Sequence, residues 1–183
     1  MLITPLELQK EPLEFREEIA EGAIDYAPDT RQVGGLPVVG KADLIVEHRG
    51  PQEEVEDIRV RAAYDGQFEV LCARCVEPVA VPLKGTFDLL FRPEGADAEA
   101  GERAITEDET EIGYYGKCGL ELEDVVREQV LLTLPGRTLC QPDCKGLCAR
   151  CGQNLNDTSC ECAESVGFND PRWSALQGLA LKQ

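Results

Sequence analysis

The sequence predicts an α+β protein: an antiparallel β-sheet or open barrel, a packing helix, and a C-terminal zinc-binding module with a short helix. Three observations carry this. Apolar residues alternate with polar ones through much of residues 1–91, the period of a half-buried strand. A later stretch, Leu122, Val125, Val126, Gln129, Val130 and Leu132, repeats at helical spacing instead. Six cysteines then fall between Cys140 and Cys162. The chain divides accordingly into an acidic β-rich part over 1–139, with its helix near 121–133, and a cysteine-rich module with a C-terminal helix over 140–183.

Taken in order, Leu6 and Leu8 suggest a short strand before Pro12, and Leu13, Phe15 and Ile19 a longer one. Ala27 to Pro37 holds two prolines and two glycines and reads as a loop. Val38 to His48 places Ala42, Leu44, Val46 and His48 on one side of a second strand. Ile58, Val60 and Ala62 alternate with Arg59 and Arg61. Asp65-Gly66 has the chemistry of a hairpin turn, and Phe68, Val70 and Cys72 continue the alternation on a return strand. Val79–Val81 and Phe87–Phe91 give further strands, and Pro78 and Pro82 make the first a short or edge piece.

Pro93 to Glu111 carries eight acids and one arginine. That composition reads as an exposed loop, or as a docking arm for a basic partner. Glu111–Tyr115 suggests one more short strand. Glu121, Glu123 and Asp124 crowd the start of the helix, where its dipole favours them, and Pro135-Gly136 ends it. After the cysteines, Asp170-Pro171-Arg172-Trp173 opens a last helix with Asp170 as cap, and Trp173, Leu176 and Leu179 form its apolar stripe.

A hydrophobic content of 43% over 183 residues is enough for a core, while the net charge of −17 repels nucleic-acid backbone and lipid headgroups and favours basic partners. The charge is uneven. Residues 140–183 carry four Lys/Arg against five Asp/Glu, so the preceding 139 residues hold −16. Within the module Cys144–Asn156 contains Lys145 and Arg150 and no acid. No apolar run exceeds four residues, and the N-terminus has no basic region leading into an apolar one, so the expectation is a cytoplasmic protein with no membrane association. In that compartment clustered cysteines bind metal more often than they form disulfides.

Cys148-Ala-Arg-Cys151-Gly has the form of a zinc knuckle, a turn aiming two sulfurs at one point with glycine easing the backbone after the second. The same Cys-Ala-Arg-Cys unit recurs at Cys72–Cys75. The eight paired cysteines divide by closeness in sequence into two four-cysteine sets. Cys148, Cys151, Cys160 and Cys162 would hold one zinc, and Cys72, Cys75, Cys140 and Cys144 a second. A rival set of Cys144, Cys148, Cys151 and Cys160 would leave Cys162 free. An iron–sulfur cluster also takes four thiolates, and the knuckle favours zinc over it. Cys118, in a glycine-rich turn, is read as no ligand.

Catalysis has little support in the residues. The single histidine, His48, reads as an ordinary sheet-edge residue, and Ser159, Ser165 and Ser174 stand in no nucleophile pattern. All-cysteine zinc sites are closed and structural. A nuclease would need clustered carboxylates, for which Asp65, Glu77 and Asp88 are candidates without a selecting pattern. A thiol oxidoreductase would need Cys72 or Cys148 to cycle. A structural zinc adaptor in some other complex is the remaining alternative.

Read together, Cys72-Ala-Arg-Cys75-Val-Glu-Pro-Val79, the acidic insertion, Leu132-Thr-Leu-Pro135, Leu139-Cys140, Cys144-Lys-Gly-Leu-Cys148-Ala-Arg-Cys151-Gly-Gln-Asn-Leu-Asn156, Cys160-Glu-Cys162 and Asp170-Pro-Arg-Trp173 closely resemble the bacterial YceD family, from about residue 55 to 180. That family is linked to accumulation of large-subunit ribosomal RNA and occurs also in chloroplasts. Its gene often neighbours that of a small basic large-subunit ribosomal protein, and some members lack most of the tail cysteines. The resemblance implies a role in ribosome biogenesis; with the residues' own chemistry, the expectation is a non-enzymatic factor that binds the large-subunit precursor through a basic ribosomal protein or the RNA itself, with no small-molecule substrate evident. Lys145, Arg150, Asn154 and Asn156 are the candidate RNA contacts. Asn154 and Asn156 also suit turn hydrogen bonding beneath the metal.

Overall fold

The computed structural model describes residues 1–49, 54–97 and 112–162. Its elements in chain order are β1 (Leu2–Ile3), α1 (Pro5–Leu8), β2 (Leu13–Ile19), β3 (Thr30–Val33), β4 (Leu36–His48), β5 (Glu54–Leu71), β6 (Pro78–Pro93), β7 (Ile112–Tyr115), β8 (Leu120–Glu121) and α2 (Leu122–Thr133). One six-stranded sheet dominates, in the order β2-β4-β5-β6-β7, with β3 paired to the far end of β5. β1 and β8 form a separate antiparallel pair. The large sheet is mixed: β7 runs parallel to β6, and the other pairings are antiparallel, which corrects the wholly antiparallel expectation.

The alternation seen in the sequence sets the two faces. Ile58, Val60, Ala62, Tyr64, Phe68 and Val70 of β5 point into the core, and Leu36, Val38 and Ala42 of β4 join them. α2 lies against this face through Leu122, Val125, Val126 and Val130, all buried in the same cluster. The Tyr64 hydroxyl fastens the helix to the sheet, donating to Thr133 Oγ1 at 2.7 Å and reaching the Gln129 carbonyl oxygen at 3.1 Å. On the opposite face Arg59 makes a bidentate bond to Asp88, and a buried cluster forms where Arg92 meets Asp57, Glu47 and Asp97.

Four local expectations are corrected. Asp65-Gly66 makes no hairpin, because β5 runs unbroken through both. Asp65 pairs across the sheet with Lys84 at 2.7 Å. Gly66 is there for space: a Cβ at that position would stand 2.5 Å from Leu36 Cδ1. Val79–Val81 and Phe87–Phe91 are one strand, β6. Its prolines are tolerated because, among the described residues, β5 alone pairs with it there, β7 covering only Leu90–Pro93. The expected loop Ala27–Pro37 holds β3 and the start of β4, organised by buried Gln32, whose Nε2 donates to the carbonyl oxygens of Ile19 and Gly34. Leu6 and Leu8 sit on a helical turn, not a strand: Thr4 and Glu7 form a capping box around Pro5, which turns the chain.

His48 is exposed and meets Glu54 at 3.0 Å. No helix among the described residues is long and apolar enough to cross a membrane. Most of the acidic stretch Pro93–Glu111, and the expected helix from Asp170 with Trp173, Leu176 and Leu179, lie outside the described residues.

Candidate metal centres

The long β5–β6 hairpin turns through Cys72–Cys75, so the first knuckle sits at the end of the sheet. Its turn is closed by two backbone bonds: Cys72 N–H donates to the Glu77 carbonyl oxygen at 2.8 Å, and Val76 N–H to that of Cys72 at 2.9 Å. The second knuckle repeats this pattern. Cys148 N–H donates to Gln153 O at 2.8 Å, and Gly152 N–H to Cys148 O at 2.9 Å. The flanking residues pair alike, Leu71 with Pro78 and Leu147 with Asn154. The two Cys-Ala-Arg-Cys units are therefore one local structure used twice.

α2 ends at Thr133, two residues before Pro135, and delivers the chain back to the first knuckle, where Ala73 N–H donates to Thr138 O at 2.9 Å. This brings Cys140 and Cys144 to Cys72 and Cys75. The four sulfurs lie within 4.8 Å of one another, with Cys72–Cys144 at 3.8 Å and Cys75–Cys140 at 3.5 Å. A zinc–sulfur bond of about 2.3 Å in a tetrahedron places its sulfurs about 3.8 Å apart, so the donor set fits such an ion. Cys72, Cys75 and Cys144 are buried, packed with Val79 and Leu139 in a small cluster apart from the main core. Cys148, Cys151, Cys160 and Cys162 make a second group of the same compactness. Among the described residues these are the two groups that could hold a metal ion.

Each set has a thiol shifted toward the anion, while burial and crowding by neighbouring thiols push Cys140 up to about 12, and crowding by neighbouring thiols and burial push Cys162 up to about 11. The Cys75 amide, with those of Arg74 and Cys140, lowers the Cys72 thiol to about 6 against the desolvation that opposes it. The Cys151 and Arg150 amides do the same for Cys148, also to about 6. Thiolates are the metal-binding form, and N–H donors offset the charge that four of them accumulate. Neither set contains a histidine or carboxylate, so a tetrahedral ion would be fully enclosed by sulfur, with no position left for water or substrate.

Lys145 and Arg150 are exposed beside these centres. Asn154 and Asn156 are half-buried and turned inward. Asn156 Oδ1 accepts from Lys145 N–H at 2.8 Å, and its Nδ2 donates to Cys144 Sγ at 3.3 Å and to Asn154 Oδ1 at 2.8 Å. Arg74, absent from the sequence candidates, also belongs to this site: its guanidinium donates to the Cys144 carbonyl oxygen at 2.6 Å. Its recurrence in both knuckles was the available signal. Cys118 is exposed in its turn and belongs to neither group. The candidate nuclease carboxylates are not gathered: Asp65 pairs with Lys84 and Asp88 with Arg59.

The family model described as "Large ribosomal RNA subunit accumulation protein YceD" matches residues 60–180. An uncharacterized protein of Mycobacterium tuberculosis is 35% identical over 106 residues, covering 57% of this chain and 47% of that protein. An uncharacterized protein of Mycobacterium leprae is 28% identical over 186 residues, covering 97% of this chain and 79% of its own. A Zea mays protein named "Large ribosomal RNA subunit accumulation protein YCED homolog 1, chloroplastic" is 28% identical over 114 residues, covering 50% of this chain and 39% of its own. The chain thus spans about half the length of several of the curated relatives it matches. No solved structure matches it.

Proposed function

Since the chain belongs to the large ribosomal RNA subunit accumulation protein YceD family, we propose that it is a non-enzymatic, cytoplasmic ribosome biogenesis factor required for large-subunit ribosomal RNA to accumulate. The observation that carries this is the extent of the family match, residues 60–180, which encloses all eight clustered cysteines. Each four-cysteine set holds one zinc ion. The closed all-sulfur coordination makes both ions scaffolds with no catalytic part.

The division of charge supports two roles for two parts of the chain. The acidic part, 1–139, carries nearly all of the net charge of −17 and suits a basic ribosomal protein of the large-subunit precursor. The module, 140–183, is nearly neutral and presents Lys145 and Arg150, which suit RNA phosphate. Asn154 and Asn156 serve to hold the module together. Depletion of the protein should lower precursor and mature large-subunit RNA while small-subunit RNA stays level. An unchanged ratio of the two in depleted cells would remove this reading.

A further inference from the structure

One side chain joins the two cysteine sets, and we infer that Asn156 couples them: an ion held by Cys148, Cys151, Cys160 and Cys162 sets Asn156 against Cys144 and so tightens the ion held by Cys72, Cys75, Cys140 and Cys144. The inference rests on the reading that both sets hold metal. Asn156 lies in the loop between Cys151 and Cys160, yet its amide reaches across to the segment carrying the other set. Nδ2 donates to Cys144 Sγ at 3.3 Å, and Oδ1 accepts from Lys145 N–H at 2.8 Å and from Gln141 Nε2 at 3.2 Å. The direction of the amide is fixed by its partners. Only oxygen can receive the Lys145 N–H, so the NH₂ group must face the sulfur. A donor aimed at a ligating thiolate is an outer-shell contact of the kind that tunes metal affinity.

Asn156 is itself positioned by its own loop. Asn154 Oδ1 accepts from Asn156 N–H at 3.1 Å and from Nδ2 at 2.8 Å. Leu155 N–H donates to Gly146 O at 2.8 Å, and Leu147 N–H to Arg74 O at 3.0 Å, so the segment between the sets is bonded on both sides. Gly146 allows this approach, since a Cβ there would stand 2.9 Å from Arg74 O. The loop is bounded by Cys151 and Cys160, and an ion between them closes it. Its closure entropy is then already spent when the second ion binds. Coupling of this kind is reciprocal, so either ion strengthens the other.

The test is a cobalt(II) titration of the full chain against a competing chelator, read by the thiolate charge-transfer band. The variants are Asn156→Ala, Cys148→Ser/Cys151→Ser, and the three changes together. Wild type should load both sets in one steep transition. Asn156→Ala should still load both, but in two separate steps, with affinity for the Cys72–Cys144 set down about ten- to a hundredfold. In the Cys148→Ser/Cys151→Ser chain the remaining set should already be weakened, and adding Asn156→Ala should change it little. Uptake by Asn156→Ala as steep and tight as wild type overturns the coupling. So does an Asn156→Ala effect as large without the Cys148–Cys162 set as with it, which would make Asn156 a local partner of Cys144 only. Should the double serine variant fail to fold, the steepness comparison between wild type and Asn156→Ala decides alone. A wild-type chain that takes up no cobalt or zinc overturns the metal reading itself, which separates that failure from failure of the coupling.

Discussion

Val76 stands in the first knuckle where Gly152 stands in the second, and both take a left-handed backbone, with φ of 63° and 73°. A β-branched residue in that region is an outlier. The hydrogen bond from its amide to the first cysteine's carbonyl oxygen demands the turn in both places. Val76 is about half exposed, so it gains little from packing to offset the strain.

Val76→Gly should therefore stabilise the protein by up to about 1 kcal/mol, the left-handed penalty less the added freedom of glycine in the unfolded chain. Gly152→Val should destabilise by about 1–2 kcal/mol. Urea unfolding at fixed metal concentration measures both, and a destabilising Val76→Gly would show that the side chain makes a contact of its own.

Tyr64→Phe removes the hydroxyl that joins β5 to α2 at Thr133 and Gln129. The expected loss is about 1 kcal/mol, since Thr133 Oγ1 already donates to Gln129 O at 2.8 Å and keeps a partner. Because α2 delivers the chain to Cys140, hydrogen exchange in residues 134–140 should quicken more than in β4.

Arg92 and Asp57 are both buried and bonded, at 2.9 and 3.1 Å. Asp57→Ala should cost about 3 kcal/mol, because it leaves the guanidinium buried without its best partner. Replacing both by apolar residues of similar volume should recover most of that loss, as seen in thermal unfolding of the single and double variants.

Acid should act on the same cluster through Asp97. Burial works to raise its pKa, but the bonds from Arg49 and Tyr114 and the charge of Arg92 outweigh it and hold the carboxyl below its ordinary value. A depressed folded-state pKa gives stability that is present above the unfolded value, about 3.9, and is lost as pH falls through the folded one. Asp97→Asn should accordingly be less stable than wild type at neutral pH and converge with it as pH falls through the lowered folded-state value. A constant difference across the whole range would count against this account.

Chelation should separate the two parts. The cysteine cluster around Cys72, Cys75 and Cys144 is distinct from the main core, which is built mainly of β2, β4, β5, β6 and α2 side chains. Metal removal should leave the sheet's far-ultraviolet signal largely intact while residues 140–162 become open to limited proteolysis. Global unfolding on chelation would mean that the ions also hold the sheet.

What the sequence determined by itself was local. Ile58–Ala62 alternated with arginines and became the middle of β5; Leu122–Val130 repeated at helical spacing and became the buried face of α2. The two Cys-Ala-Arg-Cys spacings each specify a knuckle, because the turn that aims two sulfurs together is closed by bonds within about six residues. The tertiary structure decided what competed with local signals or joined distant ones. Asp65-Gly66 has turn chemistry, but the Lys84 pairing and the close approach of Leu36 keep it extended. The meeting of Cys75 with Cys140, 65 residues apart, depends on α2 crossing the sheet and returning the chain to the hairpin end. Asn156 looked from its neighbours like a turn former or an RNA contact, and only the folded module turns its amide onto Cys144. Hydrogen-bond capacity is written in a residue's type, but the partner that uses it is set by which segments the core brings side by side.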